Sequence, residues 1–206
     1  MKISYAITVC NELEQIKTLV PFLIENKNQN DEVVILFDEK NGDPKVLEYL
    51  LSHNLKPNVQ TWRSSEWNNN FADWKNKLNS YCTGDYIFQL DADEMISKEL
   101  INGIHEIMGL NPDVDVIFVP RINTVDGLTQ EHIDMWKWKV NEKGWVNFPD
   151  WQGRIYKSKM SWYGRVHERI IGGKYYSTFP TDELYCIQHH KTIERQEKQN
   201  DFYGRI

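Results

Sequence analysis

The sequence lacks the marks of several large protein classes. Its three cysteines, Cys10, Cys82 and Cys186, lie far apart with no C-x-x-C spacing. That excludes a disulfide-built scaffold or a cysteine zinc site and leads us to expect reduced thiols in a cytoplasmic setting. No apolar run approaches the ~20 residues of a transmembrane helix, and no signal-peptide core is expected at the start, because residues 3–9 read as a strand. There is no basic excess: a net charge of −6 argues against nucleic acid or an anionic membrane as partner. Neither G-x-G-x-x-G nor G-x-x-x-x-G-K-[ST] occurs, which weighs against a nicotinamide or flavin enzyme and against a P-loop enzyme.

What is present is ordinary globular composition, 40% hydrophobic and 26% charged over 206 residues, enough for one domain with a sizeable core. Apolar strands and helices of 3.6-residue period alternate. Residues 3–8 form the first strand, and Ile16, Leu19, Val20, Leu23 and Ile24 mark the helix after it. Val33–Phe37 is a second strand ending in Asp38, and Pro44 opens a helix with Val46, Leu47, Leu50 and Leu51 on its apolar face. Val59–Trp62 is a third strand, a helix covers about Phe71–Cys82, and Tyr86–Leu90 is the central strand. A helix from Lys98 to Met108, capped by Ser97, and a strand Val114–Val119 follow. Such alternation implies an α/β fold with a mostly parallel sheet flanked by helices. Residues 121–150 show no clear period and are expected to be irregular and ligand-facing. Arg154–Tyr156 and Met160–Tyr163 read as short strands of a small antiparallel C-terminal part, and Thr192–Ile206 as a surface helix.

The stretch Tyr86-Ile-Phe-Gln-Leu-Asp-Ala-Asp-Glu94 carries the strongest chemical signal. Its apolar run ends in Asp91, Asp93 and Glu94, at the strand edge where open α/β sheets bind ligands. Two carboxylates at i and i+2 can converge on one hard cation, and that cation could hold a diphosphate. Asn11, Glu12 and Asp38, after the first two strands, would rim the same edge and hydrogen-bond a base and ribose. The alternative is that they satisfy loop backbone groups. Lys75 and Asn76 would face the diphosphate or be solvated helix residues. Of His189 and His190, adjacent on an extended chain, only one can face a given site; that one could complete a metal site, or the two could form a surface pair. Gly164-Arg165-Val166-His167-Glu168 is either a solvated turn or the source of a general base, Glu168. Five of the eight tryptophans fall between residues 136 and 162; they either fill a thin core or stack on sugar faces.

Several of these segments, in order, resemble the nucleotide-sugar glycosyltransferases of family 2, which have the glycosyltransferase A fold. Thr8-Val9-Cys10-Asn11-Glu12 is similar to the family's first-strand motif. Asn70-Phe71-Ala72-Asp73-Trp74-Lys75-Asn76 resembles its helix with a basic residue before Asn, and Leu90-Asp91-Ala92-Asp93-Glu94 its metal-binding motif. Pro149–Tyr156, Trp162–Glu168 and Ile187-Gln188-His189-His190-Lys191 with Glu194-Arg195-Gln196 look like a subgroup that includes lipopolysaccharide-core and peptide glucosyltransferases. The resemblance implies one Rossmann-like domain over 1–206, with a nucleotide-binding half (1–95) and an acceptor-side half (96–206).

It also implies inverting transfer of a hexose from a nucleoside-diphosphate sugar, a UDP-sugar ahead of a GDP-sugar. The acceptor would be a carbohydrate, a lipid-linked molecule or a protein, and Mn²⁺ or Mg²⁺ would bridge donor and protein. Thr8, Asn11, Glu12, Asp38, Lys75, Asp91, Ala92 and Asp93 are the implied donor-binding residues. Asp91, Asp93, His189 and His190 are the candidate metal ligands, with His189 preferred over His190. Glu168 is the candidate base and Asp150 the runner-up. Asp38 is followed by Glu39-Lys40-Asn41, not the usual acidic-serine run, so the base preference stays open. The rivals are a nucleotidyltransferase, which would need a Gly- and Arg-rich loop absent from Cys10–Glu14, and a non-catalytic carbohydrate-binding protein, which leaves the acidic strand end without a role.

Overall fold

The computed structural model describes residues 1–52 and 60–203. In chain order its elements are β1 (Ile3–Val9), α1 (Leu13–Asn26), β2 (Glu32–Asp38), α2 (Pro44–Ser52), β3 (Gln60–Ser65) and α3 (Phe71–Asn79). Then come β4 (Tyr86–Asp91), β5 (Glu94–Met95), α4 (Lys98–Leu110), β6 (Val116–Asp126), α5 (Gln130–Trp136) and β7 (Val146–Lys157). The chain ends with β8 (Ser161–Tyr163), β9 (Arg169–Ile171), β10 (Tyr176–Thr178), a 3-10 turn Glu183–Tyr185, β11 (Ile187–Thr192) and α6 (Ile193–Tyr203). Val59, the expected start of the third strand, lies outside the described residues, as does Ile206.

The main sheet runs β3-β2-β1-β4-β7-β6-β11-β5, with β10 also on β6. Strands β3, β2, β1 and β4 are parallel, so their carboxyl ends share one edge, with Val9 beside Phe37 and Thr8 beside Asp91. That half is doubly wound, because strands buried on both faces need helices on each side. α1 and α4 supply Ile16, Leu19, Leu23, Leu100 and Ile104 to a core with Ile7, Phe37 and Leu90, all essentially inaccessible. On the opposite face Ala72, Trp74 and Leu78 of α3 pack with Ala6, Val34, Leu36 and Ile87. Asn70 caps α3, accepting from the Asp73 N–H, and Ser97 caps α4, accepting from Leu100. Gly84 lets the chain enter β4, since a Cβ there would stand 2.7 Å from Ser4 Oγ and 2.8 Å from its nitrogen.

The reversal to antiparallel pairing comes at β7, which sits between β4 and β6. Here the sequence reading is corrected. Residues 121–150 are in large part regular: β6 continues to Asp126, α5 follows, and β7 begins at Val146, well before the expected Arg154–Tyr156. The long β6–β7 ladder satisfies the backbone whatever the side chains are, and polar and apolar residues both line the site from it, so no apolar alternation marked the strands. The expected strand Met160–Tyr163 is β8, which pairs with β9 as a separate small antiparallel sheet. The connecting residues 164–168 form a hairpin loop, with Gly164 at φ +108° and His167 at φ 54°. Among the described residues, no helix is long and apolar enough to cross a membrane.

Candidate functional site

A cavity of about 1170 Å³ opens over the carboxyl edge of β1, β2 and β4. Its floor is a chain of ion pairs built around a residue that the sequence reading did not single out. Arg154 of β7, 3% exposed, donates from Nη2 to Asp91 Oδ2 and to Glu94 Oε1, each at 2.6 Å. Arg121 of β6 donates to the same Glu94 oxygen at 2.9 Å and to Asp150 Oδ2 through Nη2 at 2.7 Å. Glu94 also accepts from the Asp91 N–H at 3.0 Å, which fixes the turn of the acidic motif. Burial opposes charge on Asp91, yet Arg154 foremost, with Lys75 and Arg121, holds its carboxyl far below the usual range. Burial likewise opposes charge on Arg154, and Asp91 and Glu94 keep it protonated. Glu94 is therefore a buried counter-ion that aligns two arginines, and Asp91 is neutralised from below.

Asp93 is different. Its Oδ2 lies 3.3 Å from His189 Nε2 and 3.1 Å from Arg195 Nη2 of α6. The other His189 nitrogen, Nδ1, is 2.7 Å from Asn123 Oδ1. Asn123 Nδ2 donates to the Asp150 carboxylate at 2.9 Å, which orients the amide and makes Oδ1 face the ring. The imidazole must then donate from Nδ1, so in the neutral ring Nε2 presents a lone pair toward Asp93. Two acceptors that close require a cation or a proton between them. Burial works against ionisation of Asp93, while the hydrogen bond and charge of His189, together with Arg195, hold it below the ordinary carboxylate range. A carboxylate and an imidazole nitrogen suit Mn²⁺ or Mg²⁺ when diphosphate and water oxygens complete the shell. Among the described residues no group of three or more His, Cys, Asp and Glu side chains is placed to hold an ion, so any such shell takes its remaining ligands from donor and solvent.

His190 is not brought to this group. Strand alternation turns it outward, where Nδ1 lies 2.9 Å from Thr124 Oγ1 and Nε2 3.0 Å from Asp126 Oδ2.

The donor-side candidates separate into two kinds. Thr8, Asn11 and Ala92 line the cavity directly. Asp38 and Glu12 line it as well, but both also hold loops. Asp38, 5% exposed, accepts from the Lys40 and Asn41 N–H groups at 3.0 and 3.3 Å and from Asn41 Nδ2 at 2.8 Å. Glu12 Oε2 accepts from the Cys10 and Asn11 N–H groups at 2.9 Å each, and its Oε1 from Arg195 at 3.1 Å. Burial with the Asp38 and Glu12 charges pushes the Cys10 thiol up to about 12, which disfavours its thiolate.

Lys75 of α3 faces the cavity and donates to Glu168 Oε1 at 2.6 Å, with its ammonium 4.4 Å from the centre of the Trp162 ring. Asn76 instead exchanges two hydrogen bonds with the Trp162 backbone, at 2.8 and 2.9 Å, tying α3 to β8. The 164–168 loop is pinned in turn, its Arg165 carbonyl accepting from the Phe71 N–H at 3.0 Å. Asp150 is more thoroughly tied. Besides Arg121 and Asn123, its Oδ1 accepts from Gln152 Nε2 at 2.7 Å. Burial aside, Arg121, Asn123 and Gln152 lower its pKa.

The residues missed in the sequence are Arg121, Asn123, Gln152, Arg154 and Arg195. Asp150, Gln152 and Arg154 occupy alternate positions and all line the cavity. A strand of that length, had it been recognised, would have grouped Asp150 with Gln152; Arg154 falls at a register shift of the ladder.

Comparisons with known proteins bear on the family and the fold. The family described as Glycosyl transferase family 2 matches residues 4–171. Among solved structures, S. aureus TarS 1-349 matches with a TM-score of 0.65 at 16% identity, over 92% of this chain and 60% of that one. The same protein in complex with UDP-GlcNAc gives 0.63 at 16% identity, over 93% and 59%. The mannosyltransferase PcManGT from Pyrobaculum calidifontis, in complex with GDP-Man and Mn²⁺, gives 0.50 at 14% identity, over 58% and 35%. The present chain thus spans about 60% of the length of the TarS 1-349 structures. No curated protein matches by sequence.

Proposed function

The chain belongs to glycosyl transferase family 2, and from that premise we propose that it moves a sugar from a nucleoside-diphosphate donor to an acceptor hydroxyl, with inversion and with a divalent cation. The observation that carries this reading is the Asp93 carboxylate 3.3 Å from His189 Nε2, set at the edge of a parallel sheet beside an open cavity. UDP-GlcNAc in TarS and GDP-Man in PcManGT support a nucleotide-sugar donor. The base would lie toward Asp38 and Asn11, past the ends of β1 and β2, and the diphosphate toward Asp93.

Asp93 and His189 would hold Mn²⁺ or Mg²⁺, which as a Lewis acid supplies charge neutralisation for the departing nucleoside diphosphate. Asp91 is the less suitable ligand, since its exposed charge is already met by Arg154; it supports the motif from below. The chain's own work is to fix the donor, exclude water with the Trp-lined walls, and take the acceptor's proton. Glu168 is the proposed base. It lines the cavity and has one oxygen on Lys75, whereas Asp150 has hydrogen bonds on both oxygens from three side chains. A carboxylate so heavily satisfied is a weak proton acceptor. The acceptor would enter beside Trp138 and Trp151, which line the cavity; carbohydrate, lipid-linked and protein acceptors all fit this reading.

The direct test is incubation with a panel of UDP- and GDP-sugars, with Mn²⁺, Mg²⁺ or EDTA, reading nucleoside diphosphate release. Release that requires the cation supports the reading. Release of pyrophosphate from a nucleoside triphosphate would instead favour nucleotidyl transfer.

A further inference from the structure

Helix α6 turns an unusual face inward. Arg195, Lys198, Gln199 and Phe202, at spacings i, i+3, i+4 and i+7, all line the cavity. That is the stripe on which a surface helix ordinarily carries its apolar residues, yet here it is basic and amide-bearing except at its end. The helix is held by polar contacts: Gln199 with Lys191, Arg195 with Glu12 and Asp93, and Glu197 with His132 at 3.7 Å. Its aromatic contact is Phe202 on Trp67, with ring centres 5.6 Å apart. α6 also lies beyond residue 171, where the family match ends.

Arg195 is the informative residue. The other arginines of the floor, Arg121 and Arg154, are locked between carboxylates and largely buried, and Lys75 is buried against Glu168. Arg195 is about one-third exposed, and a single nitrogen, Nη2, meets both Glu12 Oε1 and Asp93 Oδ2 at 3.1 Å. Asp93 Oδ2 is also the oxygen that faces His189. A cation taking up that oxygen and the Arg195 guanidinium are competitors for it, and like charges at such a distance repel.

We propose that Arg195 is a diphosphate-binding residue carried by α6: it rests on Asp93 and Glu12 in the free protein and passes to the donor's diphosphate when cation and nucleotide arrive. The planar guanidinium suits two phosphate oxygens at once, and its side chain starts from the oxygen beside which the diphosphate would lie. Lys198, one turn further along the same face, adds positive charge. The consequence is that α6 becomes anchored across the donor. This inference rests on the donor-site reading above.

The test measures UDP, UMP and uridine binding with Mn²⁺ (GDP, GMP and guanosine in parallel) for the unaltered protein, Arg195→Ala and Arg195→Lys. Arg195→Ala is expected to weaken diphosphate binding by roughly ten- to a hundredfold, the range of a hydrogen bond to a charged group. It should leave nucleoside binding unchanged, and Arg195→Lys should recover part of the loss. In the unaltered protein, amide exchange over residues 193–203 should slow with UDP and Mn²⁺ and not with uridine. Equal diphosphate affinity in Arg195→Ala, an equal loss for nucleoside and diphosphate, or unchanged exchange in α6 would each overturn the role of Arg195 while leaving the donor site intact. No binding of any nucleoside diphosphate to the unaltered protein would overturn the donor-site reading, and this inference with it.

Discussion

Asp93 Oδ2 and His189 Nε2 stand 3.3 Å apart across the cavity edge, joined from β4's end and β11, and the Asn123 amide oxygen accepts from the ring's other nitrogen, which fixes Nε2 toward the carboxylate. In the proposed reading this pair supplies two ligands to a divalent cation, and donor and solvent supply the others. Removal of either half should therefore abolish the advantage that Mn²⁺ gives to nucleotide binding. Calorimetry with UDP and GDP is expected to show tighter binding in Mn²⁺ than in EDTA for the unaltered protein, and equal binding in the two for His189→Ala and Asp93→Ala. His190→Ala, its ring bonded to Thr124 and Asp126 instead, should behave as the unaltered protein does. Asn123→Ala, which frees the ring from its fixed tautomer, should lower cation affinity by about ten- to a hundredfold.

A proton acceptor for the sugar acceptor should matter to transfer and little to donor binding. Glu168→Gln keeps an oxygen for Lys75 and cannot take a proton at neutral pH. Transfer is expected to fall by roughly 10²–10⁴-fold with near-normal donor affinity, and Asp150→Asn to fall less. Steady-state rates of the two variants with one donor and acceptor decide between them; a dead Asp150→Asn beside a fully active Glu168→Gln reverses the assignment.

The arginine under the acidic motif is a stability element. Arg154→Ala leaves Glu94, wholly buried, and Asp91 without their shared partner. Loss of one member of such a buried cluster is expected to cost about 3–5 kcal/mol, measured by urea unfolding. A change under 1 kcal/mol would mean that Arg121 alone satisfies Glu94.

Asp38→Ala should weaken nucleotide binding and also loosen the loop after β2, since both carboxylate oxygens are engaged there. The expected stability loss is about 1–3 kcal/mol, read from thermal melts beside UDP affinity. Stability unchanged with affinity reduced would show that Asp38 acts on the base alone.

Acid stability should carry the mark of Asp115. The Lys174 N–H donates to its carboxylate at 2.8 Å, the Lys157 ammonium lies 3.0 Å away and the Tyr175 N–H donates at 3.2 Å, and together they lower its pKa to about 2. A carboxyl depressed on folding stabilises fully above its unfolded pKa of about 3.9 and loses that contribution as pH falls toward 2. The difference in melting temperature between the unaltered protein and Asp115→Asn is expected to hold near pH 6 and to close by pH 2. A difference independent of pH would assign the effect to packing.

The chain's sequence by itself determined the parallel part of the sheet, β1 to β4 and the helices on it. Strands of continuous apolar residues, such as 33–37 and 86–90, and helices of regular apolar period are local patterns, and a parallel strand that ends in Asp-Ala-Asp-Glu places its carboxylates at the sheet edge without further information. It also narrowed the histidine pair to one, since adjacent side chains on a strand diverge. What only the tertiary structure decided is which charges meet. Arg154 reaches Glu94 across 60 positions and Arg195 reaches Glu12 across 183. The residues involved lie on β6, β7 and α6, where polar side chains face a cavity and no apolar period shows through. The carboxylates of one strand end gain different tasks only from these partners: Asp91 is neutralised by Arg154, Glu94 is locked between two arginines, and Asp93 faces His189 and the partly exposed Arg195. Those tasks follow from distances between segments far apart in the chain, which local pattern does not encode.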